Sequence, residues 1–519
     1  MRLLVFSFLL LLLSQRSEAQ SKYWVFLSEK EKPPSVYLEN FKVEAIERRR
    51  KNRVPLDHPR DWPISLKRVE EITECVEQIR VISRWLNAIS VEATVDQIKT
   101  IQGLEFVLEV RPFMHQSVLT HVPISQGLGF TSEIAEAQTK IMGSTVLDKK
   151  GLHGKGVRIA VLDAGFRGLY EAEGFKQLKE EGRILKTWDF IRKRERVDLG
   201  STHGTEVLSC ITGYWADLPL GLATEAEFLL ARTEYNLREP ASEEDYWVAA
   251  AEWADKNGAD VINSSLGYTK ERYFWADMDG RTAPVSIGAN QAAAVGIIVV
   301  NSMGNDGDSD WQTLGAPADA DSVISVGGID PFTGLSIGFS SFGPNSLGVQ
   351  KPNVSAFARA VTIGPNGIVE SFGTSFSSPL VTGFVACLIQ ENPDWTWQQI
   401  WDAIHDHGSL FPYSDYSHGF GIPTYLHRES KAFTIKEDQG TLVVELEEPH
   451  QIAQLHWRET WAELSRNLFY KIMNEEGQID YYGVVEPENK RGMQMNKSRI
   501  PSGGWLEIFY QGHYEIYHP

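Results

Sequence analysis

Four short stretches of this 519-residue chain carry side chains suited to acyl transfer. In chain order they are Val161-Leu162-Asp163-Ala164-Gly165, Thr202-His203-Gly204-Thr205-Glu206-Val207, Ser302-Met303-Gly304-Asn305, and Ser371-Phe372-Gly373-Thr374-Ser375-Phe376-Ser377-Ser378-Pro379. A serine hydroxyl such as that of Ser375 attacks a carbonyl only when a base takes its proton. Imidazole, here His203, suits that task near neutral pH. A carboxylate, here Asp163, must hold the imidazole in one tautomer and stabilise its charged form. Each residue also has an ordinary use: an Asp after a strand, a structural His, a Gly-Asn turn, a Ser at a helix N-cap. It is the order Asp, His, Ser, with all three at element ends, that points to chemistry.

Such residues need rigid elements that converge. The apolar runs 157–162, 261–263, 297–300 and 323–326 read as buried strands. Helical patterns separate them; one opens on Ser242-Glu243-Glu244-Asp245, which resembles a capping box, and stops at Gly258. Apolar strands alternating with helices predict a mostly parallel sheet covered on both faces. Open sheets of this kind gather ligands at the carboxyl ends of their strands, where Asp163 and Asn305 would stand.

The flanks read differently. Residues 20–115 alternate strand (23–27), helix (66–79), strand (82–91), helix (95–101) and strand (106–110), a small α+β unit. The basic run Glu47-Arg48-Arg49-Arg50-Lys51-Asn52-Arg53 within it reads as a solvated face. Residues 116–149 read as a polar connector followed by a helix over 131–147. Strands at 441–446, 452–457, 468–473, 479–485 and 505–510 predict a small all-β sandwich over 431–519. Residues 1–19 have a basic start, an apolar run over 3–13 and small residues at Ser17-Glu18-Ala19, the pattern of a secretory signal. That run falls short of the ~20 residues a membrane span needs, and no other segment is long and apolar enough. A formal net charge of −19 argues against a general nucleic-acid binder. Three cysteines do not make a disulfide scaffold, and Cys210 and Cys387 read as small buried hydrophobes.

Over roughly residues 150–425 the four stretches resemble the subtilisin-like serine peptidases, most specifically in His203-Gly204-Thr205 and in Gly373-Thr374-Ser375 with Pro379. The resemblance implies an α/β catalytic domain over 150–430, preceded by a pro-segment and followed by the β domain. It implies that Ser375 forms an acyl-enzyme, with His203 as base and acid and Asp163 orienting it. Asn305 and the Ser375 N–H would hold the oxyanion. Asn263-Ser264-Ser265-Leu266-Gly267 matches the family's substrate-binding strand, so Ser265, Leu266 and Gly267 would bind peptide main chain. Ser302, Met303 and Gly304 would help wall the pocket for the residue before the scissile bond. Two positions depart from the family: Phe376 where Met is frequent, and Met303 where Ala is usual. The chemistry requires no cofactor. Many relatives hold structural Ca²⁺, but the acidic stretch 305–310 lacks EF-hand spacing and no metal site is placed.

The same resemblance makes residues 20–115 an inhibitory pro-segment, cleaved between about 113 and 147. The ending Ile500-Pro501-Ser502-Gly503-Gly504-Trp505-Leu506-Glu507-Ile508 resembles the tail of sorting domains in bacterial type IX secretion. A purely structural sandwich stays open beside that. The partners implied are protein or peptide substrates, the chain's own pro-segment and secretion machinery, with a secreted product. One alternative function is a non-catalytic binding or adhesion protein on the same fold. It is disfavoured because none of Asp163, His203, Asn305 and Ser375 is missing. A lipase-type hydrolase is set aside, because no second Gly follows Ser375 and the order of the triad differs.

Overall fold

The computed structural model describes residues 21–33, 35–113, 131–235, 240, 242–426, 430, 432–447, 467–487 and 491–519. The expected signal at 1–19, the strand expected at 452–457 and the first part of the connector lie outside these residues.

The first unit comprises β1 (Ser21–Leu27), α1 (Val43–Lys51), α2 (Leu66–Cys75), β2 (Gln78–Ser83), β3 (Ala88–Ala93), α3 (Val95–Gln102) and β4 (Val107–Pro112). Its antiparallel sheet has the order β2-β3-β1-β4. Successive side chains of β1 point to opposite faces. Val25 and Leu27 join Ile72, Ile98 and Ile101 of the unit's own helices, while Trp24 and Phe26 face the next domain. The single strand expected at 82–91 is instead a hairpin, turning through Asn87 at φ 50. The helix expected to 79 stops at Cys75, where Val76 turns extended.

The helix expected over 131–147 is two helices, α4 (Thr131–Lys140) and α5 (Ser144–Lys150). Gly143 breaks it at φ 90, and a Cβ there would sit 2.9 Å from that of Tyr425. The central domain continues with β5 (Arg158–Asp163), β6 (Ile184–Asp189), α6 (His203–Thr212), β7 (Glu227–Arg232), α7 (Ser242–Lys256), β8 (Val261–Ser264), α8 (Pro284–Ala294), β9 (Ile298–Ser302), β10 (Val323–Ile329) and β11 (Val354–Phe357). A hairpin follows, β12 (Arg359–Gly364) and β13 (Gly367–Phe372), then α9 (Thr374–Glu391) and α10 (Trp397–Asp406).

Seven strands pair in parallel in the order β11-β10-β9-β8-β5-β7-β6. Ile159 and Val161 of β5 pack with Val207 of α6 and Phe384 of α9. Ala160 and Leu162 pack on the other face with Val248 of α7 and Ala289 of α8. This two-sided burial is why the strands are apolar throughout rather than alternating.

The last unit holds β14 (Phe433–Asp438), β15 (Thr441–Leu446), β16 (Leu468–Met473), β17 (Ile479–Val485), β18 (Arg491–Asn496), β19 (Trp505–Tyr510) and β20 (His513–Tyr517). Sheets β14-β15-β18 and β17-β16-β19-β20 share one core through Leu442, Val444, Leu468, Met495, Leu506 and Ile508. The unit docks on the central domain where Phe469 and Phe509 meet Tyr413, and Lys471 donates to the Ser414 carbonyl at 2.9 Å. Among the described residues no helix is long and apolar enough to cross a membrane.

The basic run of α1 is solvated only in part: Glu47, Arg50 and Arg53 are exposed. Arg48 and Arg49 are buried, 2% and 1% exposed. Asp255 of α7 receives Arg48, Arg49 at 2.7 Å and Arg84 at 2.5 Å. Glu252 takes a second Arg84 bond at 2.8 Å, and Asp245 takes Arg80 at 3.0 Å. Arg49 also reaches Asp61 at 3.0 Å, but the acid that Arg48, Arg49 and Arg84 share, Asp255, lies 206 residues from Arg49, which is why sequence pattern missed it. Burial pushes the Asp255 carboxyl up, but the guanidiniums outweigh it and hold it down at about 2. A carboxyl held below its unfolded range contributes stability above that range, and the contribution fades as pH falls from ~4 to ~2. Breaking a buried ion pair by removing one partner costs about 3–5 kcal/mol, because the other charges stay buried. Asp255→Ala should lower the unfolding free energy of the full chain by that amount, read by urea titration at pH 7. A loss under ~1 kcal/mol would mean that Asp61 and Glu252 suffice for the arginines.

Candidate active site

Asp163 ends β5 and is 1% exposed. Its Oδ1 accepts the Ala164 N–H at 2.7 Å, which fixes one carboxylate rotamer. His203 is the first residue of α6, and its main-chain N–H donates to Ser201 Oγ at 3.1 Å. The His203 Nδ1 lies 2.9 Å from Asp163 Oδ1 and 3.0 Å from Oδ2. The helix comes this close only because residue 204 is glycine. A Cβ there would meet the Gly165 carbonyl at 2.6 Å and the Asp163 Cβ at 3.0 Å.

Two opposed forces set the basicity of His203. Burial disfavours the imidazolium, while the Asp163 charge, its hydrogen bond and the Glu206 charge favour it. The net result is a raised pKa. The pairing also assigns the proton. With Nδ1–H donated to Asp163, Nε2 is the nitrogen left to take a proton.

Ser375 stands in the first turn of α9, after Gly373 at φ 141. Its Oγ donates to the Ser265 carbonyl at 3.3 Å, and Ser265 Oγ donates back to the Ser375 carbonyl at 2.8 Å. No hydrogen bond joins His203 to Ser375 among the described residues. Such bonds are often long in ligand-free sites and tighten when substrate arrives. The two are nonetheless neighbours through Phe376, which is fully buried with its ring centroid 5.6 Å from that of His203. The end of β8 is tied to α9 as well: Asn263 Oδ1 accepts Ser378 at 3.1 Å and Thr382 at 2.9 Å.

Asn305 is held by its oxygen. Its Oδ1 accepts the Thr374 N–H at 2.9 Å and Thr374 Oγ1 at 3.0 Å. Its Nδ2 makes no hydrogen bond among the described residues, and a Cβ at Gly373 would lie 3.4 Å from it. The amide donor is thus aimed beside the start of α9, where Ser375 sits. Thr374 is the residue that sequence reasoning missed here. It also bridges to Gly304, with Thr374 Oγ1 3.2 Å from both its N–H and its carbonyl.

The predicted substrate-binding residues divide. Ser265 lies beside Ser375, while the Leu266 that follows it is 8% exposed and its carbonyl accepts Asn301 at 3.0 Å. Ser302 and Met303 turn their side chains inward. Met303 is fully buried against Leu314 and Ala318, and Ser302 reaches the Leu266 carbonyl at 3.5 Å. The unusual Met303 side chain thus fills a core niche.

Glu206 was also missed, although Thr202 and Glu206 are spaced i, i+4 on the helix that His203 opens. Thr202 Oγ1 donates to its Oε1 at 2.8 Å. No group of three or more His, Cys, Asp or Glu side chains gathers to hold a metal among the described residues. In the 305–310 loop, Asp306 Oδ1 accepts Ser309 at 3.3 Å and Asn305 is engaged with Thr374.

Residues 154–421 match the family model described as the Subtilase family, and residues 22–125 match the Peptidase S8 propeptide domain of Bacteroidota. Subtilisin-like protease SBT6.1 of Arabidopsis thaliana is 30% identical over 49% of this chain, which spans 23% of that protein. Subtilisin E of Bacillus subtilis (strain 168) is 29% identical over 53% of this chain and 66% of its own length. The crystal structure of fervidolysin from Fervidobacterium pennivorans, a keratinolytic enzyme related to subtilisin, superposes with a TM-score of 0.54 at 16% identity. It covers 95% of this chain and 71% of that one. At that identity the likeness speaks to fold.

Phe376 supports the base and the start of α9 at once. Truncating a buried aromatic costs about 3–5 kcal/mol. Phe376→Ala in a Ser375→Ala background should lose that much by urea unfolding. An unchanged midpoint would mean that the niche beside His203 is not close-packed.

Proposed function

The chain belongs to the subtilase family, and on that premise we propose that it is a secreted serine endopeptidase with Ser375 as nucleophile. The observation that carries this reading is the double contact of Asp163 with His203 Nδ1, on a helix that meets Phe376 of the serine's own helix. His203 Nε2 takes the Ser375 proton as Oγ attacks the peptide carbonyl carbon. The imidazolium so formed is stabilised by Asp163, which keeps its own negative charge. The tetrahedral oxyanion is met by Asn305 Nδ2 and the Ser375 N–H, which lies in the first helical turn and lacks an intrahelical acceptor. A side-chain donor of this kind is worth about 3–4 kcal/mol of transition-state stabilisation. His203 then gives its proton to the leaving amine and an acyl-enzyme remains. Water, deprotonated by His203, releases the acid product.

A peptide in extended form would lie along Ser265, Leu266 and Gly267, using main-chain hydrogen bonds. Residues 21–113, docked on α7, would inhibit until cleaved away, which fits the matched propeptide domain. The C-terminal unit would serve secretion or structure. The chemistry uses side chains and main chain alone, so we propose no cofactor for it. A non-catalytic binding protein has no observation in its favour.

Casein hydrolysis by the secreted protein tests this. Wild type should cleave, and both Ser375→Ala and a serine-directed inhibitor should abolish cleavage. Because His203 is raised, the neutral base exists only above its pKa, so kcat/KM should fall as pH drops through that value. Activity undiminished at pH 4, or retained in Ser375→Ala, would contradict the reading.

A further inference from the structure

One acid near the site has no role in the chemistry above. Glu206 is partly buried in the first turn of α6, three residues after His203. Each of its carboxylate oxygens accepts a hydroxyl from a different element. Thr202 Oγ1, at the N-cap of α6, donates to Oε1 at 2.8 Å. Ser371 Oγ of β13 donates to Oε2 at 3.0 Å. Ser371 in turn lies 2.8 Å from Thr362 Oγ1 of β12, and both are buried. The helix has a second tie to the same hairpin: Ile363 N–H donates to Ser209 Oγ at 3.0 Å, and Ser209 Oγ donates to the Glu206 carbonyl at 2.6 Å.

The connectivity gives these bonds their meaning. β13 runs directly into Gly373 and α9, so Ser371 stands four residues before Ser375. Thr202 stands one residue before His203. A single carboxylate therefore spans the lead-in to the base and the lead-in to the nucleophile. An ion pair for stability does not explain it, because no Lys or Arg pairs with Glu206 among the described residues. The nearby Glu370, by contrast, is neutralised by Arg359 at 2.5 Å. The charged groups acting on His203 are Asp163 from β5 and Glu206 from its own helix. From α9 the neighbour is the uncharged Phe376.

We propose that Glu206 is a positioning residue for the reaction: through Thr202 and Ser371 it latches the base helix to the strand that delivers Ser375, and it sets a second negative charge within reach of His203. This rests on the endopeptidase reading for its kinetic part only. Two consequences separate. The latch fixes the distance between base and nucleophile, which matters for kcat because misplacement by about 1 Å can cost ~10² in rate. The charge favours the imidazolium, and its loss makes His203 a weaker base.

The test uses Glu206→Gln, which keeps shape and one acceptor but removes the charge, and Ser371→Ala, which breaks the latch but keeps the charge. In the full chain carrying Ser375→Ala, the His203 titration is followed by ¹³Cε1-histidine NMR with and without Glu206→Gln. In the active enzyme, kcat and KM are measured across pH for each variant. Glu206→Gln should lower the His203 pKa and move the acid limb of kcat/KM to lower pH. It should also reduce kcat about tenfold with KM changed less than about twofold. Ser371→Ala should reduce kcat comparably while the acid limb stays in place. An unmoved His203 titration in Glu206→Gln overturns the charge role. An unchanged kcat in Ser371→Ala overturns the latch. Lower thermal stability with both readouts unmoved would leave Glu206 merely structural and overturn the proposal. If wild type cleaves nothing, the endopeptidase reading falls alone, and the NMR titration still decides whether Glu206 acts on His203.

Discussion

Asp163 meets His203 Nδ1 with both carboxylate oxygens, at 2.9 and 3.0 Å, from a place almost closed to water. Most of the central domain serves that contact. A carboxylate without hydrogen bonds at such depth would be costly. Here the Ala164 N–H and the imidazole satisfy it. β5 sits inside the seven-stranded sheet, so both its faces are packed and its end cannot wander. Gly204 lets α6 approach to the distance the pair requires. α9 crosses one face of the same sheet and brings Ser375, Phe376 and the Thr374 clamp on Asn305 to the neighbouring strand ends. The sheet makes the site rigid, and the glycines make it close.

The same domain uses buried acids in a second way, on α7. Asp245, Glu252 and Asp255 collect arginines from residues 21–113 instead of an imidazole. Burial penalises every member of that cluster, so the contact is strong only while all partners are present. Around these ion pairs Trp24, Trp85 and Leu86 join Tyr246 and Ala250 of α7 in one apolar cluster, so the contact is both ionic and hydrophobic. The C-terminal unit docks differently, through the aromatic contacts of Phe469 and Phe509 on Tyr413.

The parallel sheet was legible because burial on both faces leaves a local mark, the uninterrupted apolar strands. The positions of Asp163, His203, Asn305 and Ser375 were legible because each lies at the end of such a strand or the start of a helix. Long-range partners left no local mark. Nothing around Arg48 and Arg49 announces Asp255, so the run read as solvated. Met303 lies in a stretch that could line a pocket, and only its packing with Leu314 and Ala318 shows which way it faces. Gly143 and Asn87 break elements that periodicity alone would carry through. Glu206 sat in plain view beside the histidine, yet its second partner, Ser371, is 165 residues away.

The most direct test of the central claim is covalent labelling of the protein freed of residues 21–113 with a fluorophosphonate, read by peptide mass spectrometry. A serine activated by the Asp163–His203 pair should carry the adduct on Ser375 alone, and Asp163→Asn should slow labelling by orders of magnitude. No adduct, an adduct on another residue, or labelling at an unchanged rate in Asp163→Asn would contradict the account.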